Sequence, residues 1–488
     1  MVGITDETLR DGPQSLWATR MRTKWMLGAT EWINRARFRK VCVTSGAAFE
    51  TAVRFLRDDP WERLELLNRY MPDASIEILI RSRNLFGWAL YPDEVVELLF
   101  RCLHGVGAQW VKVFDGLNDF RNITPHFRIA RELGLKSSGL LTFSLSPAHT
   151  DDYFAGKVRE LIGLDVDSII FADASGLLTA ERTRSVFAAM QVANAGRVPI
   201  EFYAHDCMGL ARGAYREALA AGVDTLTTAA EPLANGESVP STLDMVAIAA
   251  DMGIDLGVDQ DALNCLDDYF HWVAYEEGRP VMPPVKFDAV AYEFFAGHQI
   301  PGGMMSNFRD QLTEIGLIHR IDEVLEEAAR VRAEIGYPVM VTPFSQFVGV
   351  QATLNVIEEE RYKTIPNELA LYVRGFYGEP PAPIDGNLRD RVMASEPAER
   401  TGATAELKAG LVEEFRRQNG PFASDRDLLL QLFYGRTHVE ALAREKSVTD
   451  GRPSLDAPLT TLIKGLAKNR GLKTFKLEKG SLKLDLAL

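Results

Sequence analysis

Residues 200–210 read IEFYAHDCMGL, an apolar, aromatic run that ends in the polar pair His205-Asp206 and then in Gly209. Runs of this kind are strands, and Gly marks the turn where the chain leaves them. Seven more occur in the first half of the chain: GITD (3–6), KVCVTSG (40–46), SIEILIR (75–81), WVKVFDG (110–116), GLLTFS (139–144), DSIIFAD (167–173) and DTLTTAA (224–230). Helix-like segments lie between them, among them YPDEVVELLFRCLHGVGA and ARGAYREALAAGV, each running out through glycine as helix C-termini often do. Eight strands, each followed by a helix, predict a (β/α)8 barrel of the TIM type. An open doubly wound sheet is the structural alternative, but no GxGxxG follows the first strand.

Polar residues recur at the C-terminal ends of these runs: Asp6, Arg10, Arg81, Asp115, Asp173 and His205. In a barrel these positions ring one mouth, where such folds place their chemistry. Beyond residue 300 the strand rhythm stops and helical patterns such as IDEVLEEAARVRAEIG take over. The expected organisation is an α/β barrel over 1–300, a mostly helical domain over 301–450, and a basic tail over 451–488. The tail ends in LKTFKLEKGSLKLDLAL, whose alternation on both sides of Lys-Gly suits a small docking hairpin.

The 488 residues carry a net charge of −14, which argues against nucleic acid as the main partner. No run is long and apolar enough to span a membrane. The start, MVG followed at once by strand-like sequence, leads us to expect no targeting segment. Four cysteines without CxxC spacing fit reduced thiols in a cytoplasmic protein.

The stretch DETLRDGPQSLWATRMRT closely resembles the opening D-T-T-L-R-D-A-H-Q-S-L-x-A-T-R-M-R-T of the biotin-dependent carboxyltransferases. That family includes the carboxyltransferase domain of pyruvate carboxylase, the α subunit of oxaloacetate decarboxylase and the metal-containing subunit of transcarboxylase. Further similar stretches follow in the family's order: RFLRDDPWERL, YPDEVVE, VKVFDGLND, PGGMMSNFRDQL, VTPFSQFVGVQA and RYKTIPNELALYVRGFYGEPPAPI. The resemblance implies a barrel followed by a helical domain. It also implies a reaction in which carboxybiotin releases CO2 at the barrel mouth and the enolate of a 2-oxo acid such as pyruvate captures it.

The family's metal polarises the keto oxygen, and its ligands are an Asp after the first strand, a carbamylated Lys and a His-x-His pair. The resemblance places Asp6 and His205 as the metal ligands here. Ala172 stands where the carbamylated Lys belongs, and Tyr203 replaces the other His. Two conventional ligands are a poor zinc or manganese site, so a weak or absent metal is expected. Tyr203 shares a face with His205, and Glu201 lies on that face one step deeper.

Arg10 and Gln14 match family residues at the mouth and are candidate catalytic residues, with Arg10 also touching substrate. Arg81 matches the Arg that grips the substrate carboxylate, a task suited to a guanidinium fork. Glu237 occupies the place of a proton-passing Thr, and a carboxylate can do the same work or remain a solvated loop residue. Asp206 either orients His205 or caps the next helix. Cys207 reads as packed rather than nucleophilic.

The chain has no Met-Lys-Met biotinyl sequence and no phosphate-binding loop. Biotin is therefore expected on a separate biotin carboxyl carrier protein, with a biotin carboxylase subunit as further partner and a homo-oligomeric arrangement. Three readings stand: a carboxyltransferase subunit, a non-catalytic structural or regulatory subunit that has lost the metal site, and a metal-poor lyase of the wider barrel superfamily, since LRDGPQ also resembles the R-D-G-x-Q of such lyases.

Overall fold

A computed structural model describes residues 2–488 apart from 302–304, 306–308, 310–311, 315, 317, 359, 395–409, 443–473, 480–481 and 488. Eight parallel strands close into a barrel: β1 Gly3–Asp6, β2 Lys40–Thr44, β3 Ile76–Arg81, β4 Trp110–Phe114, β5 Lys136–Thr142, β6 Ser168–Asp173, β7 Ile200–Ala204 and β8 Thr225–Thr228. Pairing of Gly3–Asp6 with Thr225–Thr228 closes the ring. Every run expected to be a strand is one, because each couples β-branched residues to a turn at its exit.

Between the strands and after the last of them, helices start where side chains accept from their first free N–H groups. Asp59, Thr150, Thr179, Ser241 and Asp259 do this ahead of Pro60–Tyr70, Asp151–Gly163, Ala180–Asn194, Thr242–Asp251 and Gln260–Glu277. The outer faces of the strands and these helices share one apolar core.

The barrel lumen is not apolar at its floor. Lys40 Nζ meets Glu77 at 2.6 Å and Glu201 at 2.8 Å. Lys112 pairs with Glu77 at 3.1 Å and with Glu7, and Arg10 Nε meets Glu7 at 2.7 Å. All of these side chains are buried. The chain of charges leads from the floor upward to the mouth.

The helical part caps that mouth. Ile321–Glu334 packs on Phe344–Ile357 through Val324, Ala328, Val331, Phe344, Val348 and Ala352, and Leu117 from the loop after β4 joins this second core. Arg332 fastens it to the barrel through Ser144 Oγ at 2.9 Å and the Leu145 carbonyl at 3.1 Å. The helix Asp425–Tyr434 returns to the barrel side, where the Tyr434 hydroxyl donates to the Phe86 carbonyl at 2.9 Å. At the end of the chain, β9 Thr474–Lys479 and β10 Leu482–Ala487 pair antiparallel. The rest of the basic tail, 451–473, lies outside the described residues. Among the described residues no helix is long and apolar enough to cross a membrane.

Candidate active site

At the barrel mouth lies a cavity of about 360 Å³, lined by Arg10, Asp11, Gln14, Arg81, Thr142, Ala172, Tyr203, His205, Cys207 and Glu237, with Leu79, Phe114, Leu140 and Ala174 as its apolar wall and Pro301, Val341 and Thr342 from the helical part as its roof. Of the six polar strand-end residues, Arg10, Arg81 and His205 reach it. Asp115 instead accepts from the backbone N–H groups of Leu117 and Asp119, and Asp173 from those of Ser175 and Leu178, so both shape loops.

Asp11 is the hub. Its Oδ1 accepts from Tyr203 OH at 2.9 Å and from Arg10 Nη1 at 3.0 Å. Its Oδ2 accepts from Ser238 Oγ at 3.1 Å and faces His205 Nε2 at 3.2 Å. The Tyr203 hydroxyl also accepts from His205 Nε2 at 2.5 Å. Gly12 keeps this turn close: a Cβ there would meet the Leu233 carbonyl at 2.6 Å. Burial opposes charge on His205, but the Asp11 carboxylate outweighs it, and the imidazole is pushed up to about 10. Burial first, and Asp11 with it, hold the Tyr203 phenol well above its usual range.

The placement of Asp6 needs correction. The carboxylate that meets His205 is Asp11, the Asp of Arg-Asp-Gly, and not Asp6. Successive strand residues point to opposite sides. Thr5 reaches Glu201, and Glu7 reaches Lys112, both inside the barrel. Asp6 therefore faces outward, toward Asp267 on Gln260–Glu277. There its Oδ1 accepts from Thr8 Oγ1 at 2.6 Å, and burial pushes its carboxyl up to about 8. Glu201 is likewise no substitute ligand, because Lys40 holds it at the barrel floor.

The donors for a divalent ion at the mouth are thus Asp11 and His205. Ala172 supplies none, the Tyr203 hydroxyl donates to Asp11 at 2.9 Å, and among the described residues no third His, Cys, Asp or Glu stands close enough to share an ion with these two. This set does not fit a family-type metal centre, which takes three or more protein ligands. Glu7, Cys42 and Glu77 form a second group of metal-type donors, in the lumen. The Lys112 ammonium already pairs with both carboxylates of that group.

Arg81 leaves β3 with Nη2 donating to the Gly87 carbonyl at 2.5 Å and its guanidinium 4.8 Å from the Trp88 ring. Its Nε is buried and has no partner, and it has no carboxylate in ion-pair range among the described residues. Gln14 Oε1 accepts from Ser45 Oγ at 2.7 Å. Glu237 is half-buried in the cavity wall, and burial raises its carboxyl above the ordinary range, with His205 opposing. Cys207 bonds to His205, yet burial keeps its thiol raised. Asp206 takes the capping role: it accepts from Ala211 N at 3.3 Å and pairs with Arg212 at 3.2 Å.

Three residues escaped the sequence reading. Asp11 was in plain view in the RDG motif. Ser238 had no signal beyond its loop. Thr142 ends β5, where Asn118 clamps its backbone: Nδ2 donates to the Thr142 carbonyl and Oδ1 accepts from its N–H, both at 2.9 Å. Its buried hydroxyl is left without a partner.

The closed barrel, its helical cap and this mouth define a carboxyltransferase-type barrel. In the carboxyl transferase domain of Rhizobium etli pyruvate carboxylase, solved as its Y628A variant with pyruvate, the same fold recurs with a TM-score of 0.82 and 26% identity, over 98% of this chain and 83% of that one. A family model described as a conserved carboxylase domain matches residues 296–483. A pyruvate carboxylase subunit from Methanocaldococcus jannaschii is 37% identical over 91% of this chain and 78% of its own length. The 2-oxoglutarate carboxylase large subunit of Hydrogenobacter thermophilus is 33% identical over 94% of this chain and 71% of its own. The chain belongs to the family of biotin-dependent carboxyltransferases that includes these subunits.

Proposed function

We propose that this chain moves a carboxyl group between carboxybiotin and a small 2-oxo acid such as pyruvate. The biotin rides on a separate biotin carboxyl carrier protein, a biotin carboxylase subunit completes the complex, and copies of this chain associate with one another. The observation that carries the reading is Arg81, a guanidinium at the cavity with no carboxylate of its own. Arg81 holds the substrate carboxylate. Glu237 takes a proton from the carbon beside the carbonyl, and Arg10 and His205 face the negative charge that develops on the oxygen. Gln14, fixed by Ser45, orients the acceptor. The N–C bond of carboxybiotin breaks to give CO2, the enolate carbon forms the new C–C bond, and the proton passes from Glu237 to the biotin nitrogen.

This reading runs without a divalent ion, because Ala172 supplies no ligand and the Tyr203 hydroxyl donates to Asp11. The same substitutions favour a second reading, a non-catalytic subunit that keeps the barrel and its partners. The test is transfer of labelled carboxyl from carboxybiotin to pyruvate by the purified chain. Labelled oxaloacetate supports the first reading, and its absence alongside intact partner binding supports the second.

A further inference from the structure

Two buried polar atoms of the cavity-lining residues lack any partner: Arg81 Nε and the Thr142 hydroxyl. They approach from β3 and β5, on either side of Phe114 at the end of β4. Buried polar groups without partners are uncommon in folded proteins and each calls for an explanation; for these two, on residues that line one cavity, the polar atoms of a ligand supply one. An N–H donor and a hydroxyl donor match a carboxylate and a neighbouring carbonyl oxygen.

The charges limit how many carboxylates can be held. Arg10 is already shared between Glu7 and Asp11, and His205 is paired with Asp11. Among the described residues, Arg81 alone of the cavity's cations has no carboxylate. A second carboxylate on the incoming acid's own tail would have no unpaired cation to meet it, whereas the transferred carboxyl arrives as neutral CO2.

The remaining wall is apolar. Leu79, Phe114 and Leu140 are partly exposed residues on strands whose neighbouring positions are buried, and they line the cavity together with Ala172 and Ala174. Behind this wall Ala172 packs in a cluster with Ile170, Ala229, Ala234, Val239 and the ring of Tyr203. The alanine thus opens an apolar chamber rather than presenting a charged group.

We propose that the substrate is a monocarboxylic 2-oxo acid with an apolar side chain larger than a methyl group. Its carboxylate lies on Arg81, its keto oxygen accepts from Thr142, and its tail fills the chamber beside Ala172. This rests on the reading of the mouth as a 2-oxo acid site and narrows it. It separates this chain from a site for 2-oxoglutarate, which carries two carboxylates.

The test is calorimetric titration of the full-length chain with pyruvate, 2-oxobutyrate, 2-oxoisovalerate, 4-methyl-2-oxopentanoate and 2-oxoglutarate. Affinity is expected to rise by up to roughly fourfold for each methylene added to the tail, with 2-oxoglutarate weakest. Ala172→Leu fills the chamber, so it weakens the longer acids tenfold or more and reverses the series, leaving pyruvate the tightest of the monocarboxylic acids. Thr142→Val removes the hydroxyl at nearly constant shape. It should erase most of the preference for 4-methyl-2-oxopentanoate over 4-methylpentanoate, a change of roughly fivefold for one hydrogen bond. A flat series, 2-oxoglutarate binding tightest, or biocytin displacing the longer acids but not pyruvate would overturn the proposal; the last would assign the chamber to biotin. If no 2-oxo acid binds, the underlying reading of the site fails as well. If pyruvate alone binds well, only this narrowing fails.

Discussion

Replacing Asp11 with Asn removes the charge on which the mouth is built and keeps the shape. In the wild type, four carboxylates (Glu7, Asp11, Glu77, Glu201) face three fixed cations (Arg10, Lys40, Lys112), and an imidazolium at His205 balances them. The His205 imidazole stands at about 10 against an ordinary 6.5. That difference, net of the burial that opposes it, makes the His205 proton worth up to about 5 kcal/mol of pH-dependent stability. Breaking one partner of a buried pair costs about 3–5 kcal/mol, a consistent range.

The sign follows from a folded-state value above the unfolded one. The contribution is complete below pH 6.5, declines as pH rises, and is gone above about 10. In Asp11→Asn, burial dominates and His205 titrates below its ordinary value. Urea unfolding at pH 6, 8 and 10, with an NMR titration of His205 assigned through His205→Gln, measures both effects. Asp11→Asn should be destabilised by several kcal/mol at pH 6 and much less near pH 10. Unchanged stability at pH 6, or a His205 titration that does not move, would refute the reasoning.

Four further outcomes are expected. Protein purified without added metal should hold well under one equivalent of zinc, cobalt or manganese by elemental analysis, and Ala172→Lys with Tyr203→His should raise metal affinity. Arg81→Ala should weaken 2-oxo acid binding by about 1.5–3 kcal/mol in calorimetry, the worth of a charged hydrogen bond. Glu237→Gln should slow carboxyl transfer by roughly 10²–10⁴-fold with little change in 2-oxo acid affinity, as loss of a general base does; equal loss of binding and rate would remove it from that role. Deleting residues 466–488 should abolish co-purification with a carrier or carboxylase partner while the chain stays folded, because the pair β9–β10 has no further strand partner among the described residues; undiminished co-purification counts against docking there.

The strands were legible because each pairs β-branched residues with a polar exit, a signal carried within a few neighbouring residues. The facing of β1 was not. In TDETLRD nearly every residue is polar, so hydrophobic alternation cannot tell lumen from outer layer, and Asp6 and Asp11 are equally eligible on paper. The lumen charges were hidden for another reason: Lys40 meets Glu201 from 161 residues away, and no local pattern announces such a pair. Ala172 and Tyr203 were visible as departures at the right strand ends, and what replaces the metal ligands was not. The Asp11–Tyr203–His205 contact needs β1 and β7 brought to one mouth. Thr142 shows the same limit, since its significance is a hydroxyl that nothing else in the fold satisfies.

The central claim is that this mouth transfers carboxyl groups without a divalent ion. The most direct measurement is transfer of labelled carboxyl from carboxybiotin to a panel of 2-oxo acids by metal-depleted protein, with and without chelator. The account predicts labelled product at a rate the chelator leaves unchanged and Arg81→Ala removes. Activity that appears only with added metal, or only in the Ala172→Lys, Tyr203→His double variant, would contradict it.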